Sequence, residues 1–82
     1  MINTDLLDHQ FRELFLDPEQ VGFKVDEHIY IKMFRMVPIT SSYIEVYKDR
    51  KFWFKERLGR FRTYQGFFNA IALTFKMSPG QQ

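Results

Sequence analysis

Residues 43–62 read YIEVYKDRKFWFKERLGRFR, and in this segment polar and apolar residues alternate while basic residues lie between aromatic ones. Alternation with a period of two is typical of a half-buried β-strand. We therefore predict two strands, residues 43–48 and 51–58, joined as a β-hairpin. Thr63 follows as a good helix cap, and the next apolar residues recur with helical spacing. A basic, aromatic hairpin with a helix packed on it organises the chain.

The register of this hairpin determines which side chains share a face, because a slip of one residue exchanges the faces. A three-residue loop, 49–51, places Val46 opposite Phe54. The other face then holds the pairs Tyr47–Trp53, Glu45–Lys55 and Tyr43–Arg57. A two-residue loop, 49–50, instead groups Tyr43, Tyr47, Phe52, Phe54 and Leu58 against Ile44, Val46, Trp53, Lys55 and Arg57. We favour the first register, since it buries the aliphatic residues and since Asp49-Arg50 lacks the glycine that type I′ turns prefer.

The segments before the hairpin predict one helix and one further strand. Residues 4–16 form an amphipathic helix that Asn3 or Thr4 can cap, and its apolar stripe is Leu7, Phe11, Leu14 and Phe15. The next helix-start pattern, at residues 17–20, allows at most one turn before Gly22. Residues 27–37 read as a strand, with Ile29, Ile31, Met33 and Val37 on one face and Arg35 interrupting it.

The last helix has an apolar stripe made of Tyr64, Phe67, Phe68, Ile71 and Phe75. Residues 78–80 end it, and the tail after them is expected to fray. The predicted fold is therefore α+β, with an N-terminal helix, a three-stranded antiparallel meander and a C-terminal helix packed on one sheet face. The N-terminal helix then acts as a lid over the sheet, or as an acidic helix presented to a basic partner.

The composition indicates one domain, 1–82, in a soluble, cytoplasmic protein. The chain has 82 residues and no cysteine, which excludes disulfides and cysteine-ligated zinc. No apolar run approaches the ~20 residues of a membrane span, and no signal peptide is visible. We therefore expect no membrane association.

The net charge of +2 conceals two segments of opposite charge. Residues 1–28 contain seven acidic and two basic residues, a net charge of −5, and residues 48–62 contain seven basic and two acidic residues, a net charge of +5. Such segregation can steer a charged partner. Alternatively, the two segments neutralise each other within the fold or between two copies of it.

Catalysis and metal binding are poorly supported, so we expect no enzyme, no cofactor and no metal. His9 and His28 are far apart, and there is no cysteine nucleophile or glycine-rich phosphate loop. His9 lies at helical spacing from Asp5, Asp8 and Glu13, but such polar clusters are usually a solvated helix face.

The leading hypothesis is a nucleic-acid-binding module, because lysine and arginine neutralise phosphates and aromatic rings stack on exposed bases. The candidate contact residues are Tyr43, Tyr47, Arg50, Lys51, Trp53, Lys55, Arg57, Arg60 and Arg62. The order of hairpin, Gly59-Arg60-Phe61-Arg62-Thr63 and a helix with Ala70 and Ala72 resembles in outline two sheet-reading DNA-binding modules, plant AP2 domains and the arm-binding domains of tyrosine recombinases. The resemblance concerns architecture and transfers no contact residues.

The rival hypothesis is a protein-interaction module: an adaptor, an enzyme inhibitor or a homodimer. Aromatic residues make up 18% of the chain, and a small fold can leave Met33, Met36, Leu73 and Met77 uncovered. Exposed aromatic and methionine patches favour protein partners. A dimer that buries Trp53 favours this hypothesis, and a monomer with solvent-exposed Trp53 favours nucleic acid.

Overall fold

The computed structural model describes residues 3–77, which form two helices and a four-stranded antiparallel sheet. The predicted α+β class is confirmed, but there are four strands rather than three, and they pair in sequence order. The predicted helix end at 78–80 and the frayed tail lie outside the described residues. The elements are helix α1 (Thr4–Leu16), strands β1 (Gly22–Lys24), β2 (Ile29–Phe34), β3 (Tyr43–Lys48) and β4 (Lys51–Arg57), and helix α2 (Tyr64–Met77).

Both helices begin where the sequence predicts, because a polar side chain caps each one. The Asn3 side chain accepts a hydrogen bond of 3.1 Å from the Leu6 N–H, which satisfies a donor of the first turn of α1. In the same way, Thr63 Oγ1 accepts from the Gly66 N–H at 3.1 Å in α2. The caps set where each helix begins, and the apolar stripe of each helix sets the face that is buried.

The two helices pack side by side on one face of the sheet and enclose the core. Phe11 of α1 lies edge-on to Phe23 of β1 at 5.2 Å and to Phe67 of α2 at 5.9 Å between ring centroids. Phe75 of α2 contacts Phe54 of β4. The helix α1 therefore covers part of the sheet, as predicted. The sheet residues buried beneath the helices are Ile29, Ile31, Met33, Ile44 and Val46.

The strand β2, which precedes the hairpin, is shorter than predicted. The strand β1, which precedes β2, was not predicted. The strand β2 ends at Phe34, and Val37 is 99% exposed, so the prediction that it shares a strand face with Ile29, Ile31 and Met33 is wrong. Met33 is buried and offers no surface to a partner. The strand β1 pairs with β2 through Gly22–Lys32, Phe23–Ile31 and Lys24–Tyr30. Three residues that include a glycine give no usable alternation, which is why β1 was not predicted.

The hairpin combines features of both predicted registers. Its turn has two residues, Asp49 and Arg50, with φ of 52° and 68°, and Tyr47 lies opposite Phe52. A β-bulge follows at Trp53, so that Val46 lies opposite Phe54, as the favoured register predicts. The predicted Tyr47–Trp53 pair is wrong, while the pairs Glu45–Lys55 and Tyr43–Arg57 are confirmed. After β4 the chain makes a short 3-10 turn, Leu58–Arg60.

Candidate nucleic-acid interface

The sheet face opposite the helices, which we call the outer face, carries three rows of side chains that run across the strands. One row is aromatic and begins with a lysine, the middle row is charged, and the third pairs two aromatic rings with an arginine. The strand register gives the rows as Lys24–Tyr30–Tyr47–Phe52, Gly22–Lys32–Glu45–Lys55 and Phe34–Tyr43–Arg57.

Within residues 3–77, neither helix covers the outer face, because both lie on the other side of the sheet. The acidic helix α1 packs against Phe23, whose strand neighbour Ile31 belongs to the core. Four cations (Lys24, Lys32, Lys55 and Arg57) lie on this face, and all four are exposed. Among the face residues in the three rows, Glu45 is the acidic one. The resulting surface is aromatic and positively charged.

The one carboxylate of these rows is held by a tyrosine rather than by the lysine across from it. The Tyr47 hydroxyl donates to Glu45 Oε1 at 2.7 Å, and this hydrogen bond raises the pKa of Tyr47 above its usual value. Glu45 and Lys55 lie opposite each other, but within residues 3–77 they form no ion pair, and Lys55 Nζ instead lies 4.7 Å from the Tyr43 ring centroid. The Lys55 charge is thus left for an external anion.

The third row contains a close aromatic pair. The rings of Phe34 and Tyr43 stack at 4.8 Å between centroids with an interplanar angle of 13°. Lys32 Nζ lies 5.4 Å from the Phe34 centroid. Phe34 and Tyr43 are directly opposite in the strand register, which brings the rings together.

The structure brings four of the nine predicted contact residues onto the outer face: Tyr43, Tyr47, Lys55 and Arg57. Arg50 and Lys51 are exposed at the hairpin tip. Arg60 and Arg62 follow the far end of β4, so these four basic candidates are divided between two ends of the sheet. Arg60 also lies 3.8 Å from Glu56 Oε2, and this ion pair partly neutralises its charge.

Trp53 does not lie beside Tyr47 as predicted. The bulge turns its ring toward α2, where it stacks on Phe75 at 5.6 Å between centroids. Lys48 Nζ lies 5.1 Å from the Trp53 centroid on this side. Trp53 is half-buried by its own chain, so it is not the solvent-exposed ring expected of a nucleic-acid binder.

Sequence reasoning missed five residues of the outer face: Lys24, Tyr30, Lys32, Phe34 and Phe52. The signal for three of them was present, since Tyr30, Lys32 and Phe34 alternate through β2 with the same aromatic and basic pattern as β3. Phe52 is 56% exposed, because the bulge separates it from Phe54. The two-residue loop that we did not favour places Phe52 with Tyr43 and Tyr47. The periodic pattern could not show the bulge that makes this placement compatible with the Val46–Phe54 pair.

His28, in the turn between β1 and β2, and Asp49, in the hairpin turn, link the two turns through hydrogen bonds. His28 Nδ1 lies 2.6 Å from Asp49 Oδ1, and the Asp49 N–H donates to the His28 carbonyl at 2.7 Å. The hydrogen bond to Asp49 raises the pKa of His28 above 6.5. Beside this link lies a shallow depression of mixed charge. It is lined by the cations Lys24, Lys32 and Arg50, by the carboxylates Asp26, Glu27 and Asp49, and by the rings of Tyr30 and Tyr47.

A second pair of shifted groups lies in the helix layer and joins the two helices. The Tyr64 hydroxyl donates to Asp8 Oδ1 at 2.7 Å. Burial, together with this bond, raises the pKa of Tyr64, and the bond lowers the pKa of Asp8. Arg12 stacks over the Tyr64 ring at 4.4 Å. These contacts are remote from the outer face, and they hold α1 against α2.

Comparison of the chain with family models, curated proteins and solved structures found no match. No helix within residues 3–77 has the length and apolar character needed to cross a bilayer. In the same part of the chain, no three histidine or carboxylate side chains converge as a metal site, and His9 pairs with Glu13 at 3.0 Å. The chemistry of the outer face is therefore the basis for assigning a function.

Proposed function

We propose that this chain is a small, non-catalytic nucleic-acid-binding module that uses the outer face of its sheet. The observation that carries the proposal is an open face on which four cations and five aromatic rings accompany one carboxylate. Lysine and arginine neutralise phosphates and release counterions, which supplies most of the non-specific affinity. The rings supply flat, apolar surface for bases.

The surroundings of the Lys32 and Lys55 ammonium groups support this proposal. Within residues 3–77, neither Lys32 nor Lys55 has a carboxylate oxygen within 4 Å, and both ammonium groups lie on aromatic rings. A cation that is not already paired with a carboxylate keeps its full attraction for a phosphate. Arg50 and Lys51 extend the positive surface beyond the tip.

Mobility-shift titrations with fluorescent oligonucleotides over a range of salt concentrations test the proposal. We expect binding with a dissociation constant of about 1–100 µM at physiological salt, tighter binding at low salt, and a steep loss of affinity as the salt concentration increases. Both single-stranded and duplex probes are used. If neither probe is retarded at low salt, the proposal is rejected.

A second candidate function is self-association, which the distribution of ion pairs favours. Within residues 3–77, none of the four ion pairs joins an acidic residue of the first 28 residues to a basic residue of the 48–62 segment. The pair that does link the two segments joins His28 of the acidic segment to Asp49 of the basic one, while Asp8, Glu13 and Arg60 are paired within their own segments. Leu6 and Leu73, which are 51% and 57% exposed, add apolar surface on the helices.

Complementary charges on two parts of one molecule suit head-to-tail pairing of copies. Static light scattering across a concentration series, at low and high salt, distinguishes this candidate from the first. A mass that doubles with concentration at low salt and returns to the monomer value at high salt supports self-association. A constant monomer mass removes it and leaves nucleic acid as the partner of the basic surface.

A further inference from the structure

The aromatic pair of the third row belongs to a column of four side chains. Phe34 and Tyr43 stack on each other at 4.8 Å, Lys32 lies over the Phe34 ring at 5.4 Å and Lys55 lies over the Tyr43 ring at 4.7 Å. Because one face of each ring is occupied by the other ring, each lysine covers the face that remains. The order in the column is therefore Lys32, Phe34, Tyr43, Lys55.

The two lysines are the removable ends of this column. Both residues are exposed, and a cation over an aromatic ring at an exposed site is held only weakly. A lysine side chain is flexible, so its ammonium group can leave the ring while the rest of the side chain stays on the sheet. The rings cannot leave as easily, because the cross-strand register of Phe34 and Tyr43 holds them together.

We propose that this column is a stacking site for unpaired bases, and the inference rests on the proposed function. A base takes the place of the ammonium group on the outer face of Phe34 or Tyr43 and extends the stack by one ring. The displaced ammonium group then contacts a phosphate of the same strand. The ligand class is single-stranded nucleic acid, because in a duplex both faces of each internal base are covered by neighbouring base pairs.

Three probes of equal length test the inference: a short oligothymidylate, the same strand with abasic sites in place of its bases, and a duplex. The abasic strand keeps the phosphates and lacks the bases, so it separates stacking from charge neutralisation. We expect the oligothymidylate to bind about tenfold more tightly than the abasic strand, given the usual contribution of base–aromatic stacking. The duplex is expected to bind like the abasic strand.

Variants of the two rings locate the effect. Phe34→Leu combined with Tyr43→Leu should remove the tenfold preference, so that the oligothymidylate and the abasic strand bind this variant with equal affinity. The exchange Phe34→Tyr with Tyr43→Phe keeps two rings and should keep the preference. Trp53 stacks on Phe75 in the helix-facing layer, so its fluorescence shows whether each variant is folded.

The outcomes separate this inference from the proposed function. Equal affinity for the oligothymidylate and the abasic strand overturns the stacking site while nucleic-acid binding stands. A preference that persists in the double leucine variant also overturns it, since the bases would then stack elsewhere. Failure of all three probes to bind overturns the proposed function itself.

Discussion

Arg35 connects three segments of the chain through one guanidinium group. It donates hydrogen bonds to the carbonyl of Leu14 in α1, to that of Asp17 at 2.6 Å, and to that of Gln20 before β1. The last turn of α1 has no basic residue of its own, so Arg35 also supplies the positive charge that stabilises a helix C-terminus. Arg35, which interrupts the apolar pattern of the predicted strand, therefore caps the C-terminus of α1.

Replacement of Arg35 by methionine should lower the free energy of unfolding by about 1–3 kcal/mol, because carbonyls at a half-buried site lose their donors. Urea denaturation followed by Trp53 fluorescence measures the change. Arg57→Met is the matched control, since Arg57 is exposed on the outer face. Its effect should stay within about 0.5 kcal/mol. Equal stability of the Arg35 variant and the wild type would contradict the capping role.

His28 makes the stability of the chain depend on pH. Asp49 is its hydrogen-bond partner, and Asp26 and Glu27 also favour the charged imidazole, so the pKa of His28 is raised above 6.5 in the folded state. A raised pKa means that folding favours the protonated form. This stabilisation is fully present below pH 6.5, and it is lost as the pH rises through the raised value.

The prediction is that His28→Gln destabilises the chain at acidic pH and that the difference from wild type shrinks as the pH increases. Urea midpoints measured between about pH 5 and pH 9 report it. An NMR titration of the imidazole should also give a pKa above 6.5 in the wild type and a value closer to 6.5 in Asp49→Asn. A wild-type pKa at or below 6.5 would rule out the link.

At the scale of elements, the hairpin turn is strained at both of its central residues. Asp49 and Arg50 have φ of 52° and 68°, in the left-handed region that a side chain with Cβ disfavours. Aspartate tolerates this region, and arginine has no such local compensation. Glycine at the second position relieves about 1–2 kcal/mol and costs about 0.5–1 kcal/mol of extra chain entropy in the unfolded state.

Arg50→Gly should therefore stabilise the chain by about 0.5–1 kcal/mol. The free energy of unfolding in urea is the measurement. Arg50→Ala serves as the control, because it removes the same charge and keeps the Cβ that causes the strain. An alanine variant as stable as the glycine variant would show that the gain comes from removal of the charge.

The hairpin also shows where sequence reasoning stops at this scale. Alternation located β3 to the residue and predicted the Val46–Phe54 pairing, since burial of aliphatic residues selects one register. The two-residue turn was rejected because Asp49-Arg50 lacks glycine. The bulge at Trp53 makes that turn compatible with the aliphatic register, by adding one residue to β4. Only the packing of Trp53 on Phe75 identifies the extra residue, and that contact is remote in sequence.

At the scale of the whole molecule, charge is divided between the two sides of the sheet. The acidic side chains of α1 lie in the helix layer, and the cations of the outer face lie beyond the sheet. The sequence predicted the charge segregation and the hairpin half of the outer face. The β2 residues Tyr30, Lys32 and Phe34 follow the same alternating pattern, but the pattern alone did not show that both helices pack on the opposite face of the sheet.

This separation predicts which cations contribute to nucleic-acid binding. The slope of log affinity against log salt falls by about 0.7 for each phosphate of a single strand that the protein no longer neutralises. Lys55→Gln should reduce the slope by about that amount. Lys76→Gln should leave it unchanged, because Lys76 is in the last turn of α2, on the helix side of the sheet. Each variant removes one exposed lysine and the same net charge, so a general electrostatic effect would change both slopes equally. Fluorescence anisotropy titrations at several salt concentrations give the two slopes, and a change confined to the Lys76 variant would place the nucleic acid on the helix layer.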